Sequence, residues 1–337
     1  MRLGIFGGSF NPPHLGHLRA AQYFQSSLEL DEVLVIPAKE PPLKATPTVS
    51  GEDRLELCKR TFPFPVSDIE LRRPGTSYTV DTLRDLRVLY PEARFFLLIG
   101  EDQREQFHLW KDWEEILRLA DLFVLPRAGE GKGGFTPIEV SSTRLRETIA
   151  NGGDASRWLS AQTCAYIREN LLYREPDLPP ERLYHSKCVA DAAEMLARKY
   201  QADRRKARLA GLWHDCGKYL PKPEPVTPQS HAFAGAEFLE RHMGVTDPEV
   251  LSAVRWHTTG HAGMTLLEEI IFVADLISAD RTYPDVERTR SLAAQDLHAA
   301  SKYILEFIIA NLAGQGKAVH PDALAWYNEL CAEEGDN

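Results

Sequence analysis

At 337 residues, with 43% hydrophobic and 26% charged side chains, the chain has the length and composition of a two-domain globular protein. Its net charge is −10, with 21 Lys and Arg against 24 Asp and Glu through Leu172 and 18 against 25 beyond it, so neither half offers the basic surface that polymeric nucleic acid requires. Five scattered cysteines (Cys58, Cys164, Cys188, Cys216 and Cys331), no signal-like opening and no membrane-length apolar run lead us to expect a reducing cytoplasm and no membrane partner.

Residues 3–6 form an apolar run that reads as a buried strand, and 18–28 have helical spacing. Between them lies Gly7-Gly8-Ser9-Phe10-Asn11-Pro12-Pro13-His14-Leu15-Gly16-His17. A Gly-rich turn from a strand into a helix is an anion site, because backbone N–H groups and the helix dipole face the ligand. His14 and His17, three residues apart, can address one phosphate together. No Gly-Lys-Ser/Thr follows, so this is not a Walker loop.

Further strands are expected at 32–37, 66–71, 95–100, 122–126 and 138–140, with helices over 51–61 and from 76–83 onward. Strands alternating with helices imply a doubly wound parallel sheet, a Rossmann-like α/β fold whose ligands bind beyond the carboxyl ends of the strands. His14, His17, Lys44, Asp102 and Arg127 all follow predicted strands. Residues 142–172 turn helical and 174–182 read as a linker. Beyond it only helical periodicity remains, with helices near 183–200, 204–219, 231–243, 247–258, 265–280, 291–313 and 321–332. The expected division is therefore 1–173, the 174–182 linker and an all-α domain over 183–333.

The opening motif, together with Val140-Ser141-Ser142-Thr143-Arg144-Leu145-Arg146, resembles the His-x-Gly-His nucleotidyltransferase superfamily. Ser77-Tyr78-Thr79-Val80-Asp81, Leu98-Ile99-Gly100-Glu101-Asp102 and Phe107-His108-Leu109-Trp110-Lys111-Asp112-Trp113 are similar to its nicotinate-nucleotide adenylyltransferase branch over nearly all of 1–173. The resemblance implies transfer of adenylate from ATP, accompanied by Mg²⁺, to nicotinate mononucleotide. It implies that Gly7, Gly8, Ser9 and Phe10 line the ATP site, that His14 and His17 bond the ATP phosphates, and that Ser142, Thr143 and Arg146 hold the leaving pyrophosphate. Lys44 is expected to be a further phosphate contact, Asp102 to lie near a ribose, Thr79 near the pyridine carboxylate, and Trp110 rather than Trp113 under the ring. Leu43 stands where the family often has His, and Asn11 where it often has Asp. Pantetheine-phosphate adenylyltransferases and cytidylyltransferases share His-x-Gly-His but are not expected to carry the Trp110 segment.

In the second domain, His185, His214-Asp215, His231, His257 and Asp275 are dispersed over helices, as in the metal sites of helical bundles. His214-Asp215-x-x-Lys218 resembles the HD phosphohydrolase superfamily. Arg255-Trp256-His257-Thr258-Thr259-Gly260 and Val273-Ala274-Asp275 are similar to its symmetric diadenosine-tetraphosphate hydrolases over about 183–333. That resemblance implies a dinuclear centre held by His185, His214, Asp215, His231, His257 and Asp275, with iron first and manganese or zinc as alternatives. It implies substrate phosphate on Lys218 and Arg281, and diadenosine tetraphosphate cleaved to two ADP. The alternative is a helical domain acting on another nucleotide, or serving as a regulatory nucleotide-binding module. Assembly as a homo-oligomer is left open.

Overall fold

The computed structural model describes residues 1–42, 47–125, 135–221, 227 and 229–333, and separates into two compact units: Met1–Ile167 with Leu172–Arg174, and Arg168–Leu171 with the chain from Glu175 onward. The first contains β1 (Arg2–Gly8), α1 (Leu15–Leu28), β2 (Glu32–Pro37), α2 (Gly51–Thr61), α3 (Ile69–Arg72), α4 (Thr79–Leu89), β3 (Arg94–Ile99), α5 (Glu101–Glu105), α6 (Trp113–Leu119), β4 (Ala120–Val124), α7 (Ser142–Ala150) and α8 (Ala161–Glu169). The four strands are parallel in the order β2-β1-β3-β4, with Leu3 opposite both Glu32 and Phe95. Period-two alternation sends Leu3, Ile5, Phe95, Leu97 and Ile99 to one face, against Val80, Leu83 and Ile116 of α4 and α6. Phe96 and Leu98 go to the other face, against Phe24 of α1. Both faces are covered, which is why the strands read as unbroken apolar runs. Gly4 lets α1 lie close, since a Cβ there would sit 2.6 Å from Leu30 and 2.7 Å from Phe24.

Two expected strands are absent among the described residues. Over 66–71 only Val66 bridges to Val35, and the chain then turns into α3, its first N–H bonded to the Ser67 hydroxyl. Residues 138–140 are extended but pair with no strand. The helical stretch 142–172 is interrupted after Ala150, where Gly152 takes φ +72°.

Arg54 organises the loops at the carboxyl ends of β1 and β2. It is almost wholly buried, and its guanidinium donates to the carbonyls of Ser9, Ala38, Lys39 and Val49. One planar fork thus satisfies backbone acceptors from three segments that would otherwise be buried unpaired.

The second unit is helical: α9 (Pro180–Lys199), α10 (Arg204–Trp213), α11 (Ser230–Phe238) continued by a π turn at Leu239–Met243, α12 (Pro248–Trp256), α13 (Leu266–Ile277), α14 (Val286–Ala293), α15 (Leu297–Gly314) and α16 (Pro321–Glu333). The apolar α13 is its centre, buried from Leu267 through Ala274. The helix expected over 204–219 stops at Trp213 and resumes as a 3-10 turn, Cys216–Tyr219. The one expected over 291–313 is two helices, because the Asp296 carboxylate accepts from Ala299 N–H and starts α15 afresh. No helix among the described residues is long and apolar enough to cross a membrane.

Replacing Arg54 with Ala should destabilise the first unit by about 2–4 kcal/mol through orphaned carbonyls. Thermal unfolding of the intact chain checks this, and an unshifted first transition would contradict the clamp.

Candidate functional site

In the first unit the loop after β1 ends on His14, which caps α1. Its Nδ1 accepts the His17 backbone N–H, and the His17 Nδ1 accepts the His14 backbone N–H, both at 3.3 Å. The rings stack with centroids 3.7 Å apart. Gly16 permits this arrangement, because a Cβ there would lie 2.9 Å from the His14 ring. A ring nitrogen that accepts carries no proton, so the His14 imidazole is neutral in this geometry, with its proton on Nε2. Burial pushes the His14 pKa down to about 4. His14 therefore offers an anion a hydrogen bond and no formal charge.

Charge comes from α7. Arg146 donates to the Asn11 carbonyl at 2.8 Å and to the Thr143 hydroxyl at 3.3 Å, leaving guanidinium N–H groups for a ligand. Ser142 is used differently from the sequence expectation. Its only hydroxyl proton is donated to the Pro12 carbonyl at 2.9 Å, so an anion would meet its backbone N–H at the start of α7 instead. Phe10, at φ 45°, packs edge-on against Phe6 and His17 and sets the turn.

Two cavities meet at Gly7, Gly8 and Ser9. The larger, about 760 Å³, is lined by His14, His17, Thr143 and Arg146. The smaller, about 200 Å³, is lined by Thr79, Trp110 and Lys111. Asp102, in the first turn of α5, borders both. Trp113 is not in either wall; it packs with Trp110 on Phe107, at 6.5 and 5.2 Å between centroids. His108 is exposed and lines neither cavity. Lys44 and Arg127 lie outside the described residues. Arg54, which ties the Ser9 loop from behind, was not singled out by the sequence reading; its only signal there is an Arg within an amphipathic helix.

In the second unit the predicted ligands converge. His185 Nε2 lies 3.0 Å from Asp275 Oδ1, and His214 Nε2 lies 3.5 Å from Asp215 Oδ2 and 3.9 Å from Asp275 Oδ1. Asp215 Oδ1 is 3.3 Å from His231 Nε2 and 3.6 Å from His257 Nε2, which are themselves 3.2 Å apart. Asp215 thus sits between the two histidine groups.

The other nitrogen of three rings is anchored. Nδ1 of His214 faces the Gly211 carbonyl, Nδ1 of His257 faces the Val254 carbonyl, both at 2.7 Å, and Nδ1 of His185 faces Asp280 Oδ2 at 2.8 Å. His214 and His257 follow directly on α10 and α12, where last-turn carbonyls lack an intrahelical partner. With Nδ1 turned to a backbone carbonyl, Nε2 of His214 and of His257 is left facing carboxylate oxygens, an arrangement that suits a cation between them. His214 Nε2 is buried with no hydrogen bond among the described residues. Burial also pushes the His214 pKa down to about 4, which keeps that nitrogen's lone pair available. Burial alone would raise Asp215, yet His214, His231 and His257 hold it well below the usual carboxylate range. Asp275 is likewise held low, by His185, His214 and Arg281 against its burial. The residues present thus fit a divalent metal, with nitrogen and carboxylate donors.

Lys218 lies 2.7 Å from Asp215 Oδ2, and Arg281 pairs with Asp275, so both cations expected to hold substrate phosphate are engaged with ligand carboxylates. Asp280, which orients His185 and accepts from Ser278, was not foreseen, because nothing in its spacing links it to His185.

Residues 5–148 match the cytidylyltransferase-like family model, and 182–280 match the HD domain model. A "probable nicotinate-nucleotide adenylyltransferase" of Opitutus terrae is 36% identical over 52% of this chain and 98% of its own length. A protein of the same name from Thermus thermophilus is 38% identical over 52% of this chain and all of its own length. A crystal structure described as a "predicted HD superfamily hydrolase involved in NAD metabolism", from Clostridium acetobutylicum, is 30% identical over 50% of this chain and 97% of that one, with a TM-score of 0.44.

Nitrogen-15 NMR of histidine-labelled protein should find His14 in the Nε2–H tautomer at pH 7, titrating near pH 4 where a free imidazole titrates near 6.5. A midpoint above 6 would refute the capping geometry. Asp280→Asn should weaken divalent-metal affinity by about 10–100-fold. Calorimetric titration of chelator-treated protein tests this, and unchanged affinity would remove Asp280 from the site.

Proposed function

Because the chain belongs to the nicotinate-nucleotide adenylyltransferase family, we propose that its first unit joins nicotinate mononucleotide to ATP, giving nicotinate adenine dinucleotide and pyrophosphate. A 5′-phosphate oxygen of the mononucleotide attacks the α-phosphorus of ATP. The bond from that phosphorus to the bridging oxygen breaks, and pyrophosphate leaves with the electron pair. The attacking oxygen is already anionic at pH 7, so positioning and charge neutralisation carry the catalysis. The observation that carries the reading is the meeting of two cavities over Gly7, Gly8 and Ser9, one lined by phosphate donors and one by an aromatic ring.

His14 presents Nε2–H to the triphosphate, with His17 stacked beside it. Gly8 and Ser9 let the chain run close beneath the α-phosphate. Arg146, with the first N–H groups of α7 at Ser142 and Thr143, takes the departing pyrophosphate, and Mg²⁺ accompanies ATP as part of the substrate. The pyridine ring lies on Trp110. α4 starts at Thr79 without a side-chain cap, and Asp81 N–H already bonds the Tyr78 carbonyl, so the N–H groups of Thr79 and Val80 are the ones that suit the ring carboxylate. Asp102, at the border of the cavities, suits a ribose hydroxyl.

For the second unit the proposal is hydrolysis of diadenosine tetraphosphate to two ADP, water adding to a central phosphorus as the middle anhydride opens. His185, His214, Asp215, His231, His257 and Asp275 would hold divalent metal, iron by preference. Bound there, it supplies Lewis acidity that activates water and polarises the phosphoryl oxygen. Asp280 and the Gly211 and Val254 carbonyls hold the imidazoles in place. Lys218 and Arg281, tied to the two aspartates, keep positive charge at the rim for phosphate.

The intact protein with ATP should release pyrophosphate with nicotinate mononucleotide and far less with the nicotinamide compound; equal rates would sink the substrate assignment. Diadenosine tetraphosphate should yield ADP alone, and ATP with AMP would contradict symmetric cleavage. Asp215→Ala should abolish metal binding and this hydrolysis while leaving pyrophosphate release intact.

A further inference from the structure

The smaller cavity has an electrostatic imbalance. Its described walls carry two carboxyl side chains, Glu70 and Asp102. Glu70 forms a buried part of the wall and accepts a 2.7 Å hydrogen bond from the Thr82 hydroxyl. Burial pushes the Glu70 carboxyl up, against its hydrogen bond from Thr82, so the acidic charge of the wall rests chiefly on Asp102. Nicotinate brings a carboxylate of its own, and a wall whose charge is acidic would favour the uncharged amide. The one cationic side chain among the described lining residues is Lys111.

Lys111 is also well placed. It follows Trp110, in the short connection between the Phe107–Leu109 turn and α6. That connection is held on both sides: Trp110 packs on Phe107, and Asp112, at φ 51°, meets Arg84 at 3.4 Å. From there the ammonium crosses to the start of α4. It lies 4.7 Å from the centroid of the Tyr78 ring, one residue before Thr79, and 3.1 Å from Asp81 Oδ2 in the first turn. The positive end of α4, the ammonium and the Trp110 ring thus belong to one wall system.

We infer that Lys111 is a specificity residue that selects the carboxylate of a pyridine mononucleotide over the neutral amide, by placing a positive charge beside the amino end of α4 in the Trp110 cavity. The inference rests on the nicotinate reading of the first unit and goes beyond it by assigning the discrimination to a side chain. The carboxylate shares the ammonium with Asp81, and the partly exposed site is screened, so the discrimination is moderate.

The test measures pyrophosphate release by the full chain, with saturating ATP and either nicotinate or nicotinamide mononucleotide, for the natural protein, Lys111→Gln and Lys111→Arg. Lys111→Gln should raise KM for nicotinate mononucleotide about five- to tenfold with little change in kcat, and leave the amide substrate unaffected or improved. Lys111→Arg should retain most of the preference, because the charge is kept. A Gln variant that weakens both mononucleotides equally, or neither, would overturn the inference, as would an Arg variant as indiscriminate as Gln. Equal use of the two mononucleotides by the natural protein would instead overturn the substrate reading itself, before any variant is compared.

Discussion

In both units a histidine Nδ1 is engaged by a fixed neighbour, and that constraint decides what its Nε2 can do. At the amino end of α1, His14 meets a backbone N–H, so its Nδ1 accepts and its Nε2 keeps a proton to donate. After the carboxyl ends of α10 and α12, His214 and His257 meet backbone carbonyls, so Nδ1 is taken and Nε2 is left facing carboxylate oxygens. The same side chain is thereby prepared for an anion in one unit and a cation in the other. The helix dipole acts in the same direction at each end.

That preparation depends on packing away from the rings. Gly16 leaves room for the His14 ring, and Arg54 holds the Ser9 loop by its carbonyl. In the helical unit the buried α13 carries Asp275 toward His185 and His214, while Asp280 turns His185 from the other side. Asp215 lies among all of these, within 3.6 Å of the Nε2 atoms of His214, His231 and His257. Each site is therefore as precise as the helix ends that frame it.

The central strands were legible because a parallel sheet covered on both faces selects unbroken apolar runs, as in Arg94–Ile99. Val66 reads as the start of another strand, yet Ser67, Asp68 and Glu70 interrupt the apolar residues there, and after one bridge to Val35 the chain turns into α3. Asp296 divides what reads as one long helix, because its carboxylate offers a cap that the apolar periodicity does not register. The hydrogen bond from the Ser142 hydroxyl to the Pro12 carbonyl was not legible, since the two lie 130 residues apart.

What the sequence determined by itself is therefore the division into an α/β and a helical part, the phosphate loop, and the roster of His and Asp residues in each. Those features are local: a strand, a turn and a helix start are written in adjacent residues, and residue type states the available chemistry. Tertiary structure alone decided that Asp280 meets His185, that Arg54 ties the Ser9 loop, and that Lys111 shares a cavity wall with Trp110 and Thr79. The Asp280 and Arg54 contacts span 95 and 45 residues, and Arg54 meets backbone atoms, which every residue carries and no side-chain pattern reveals.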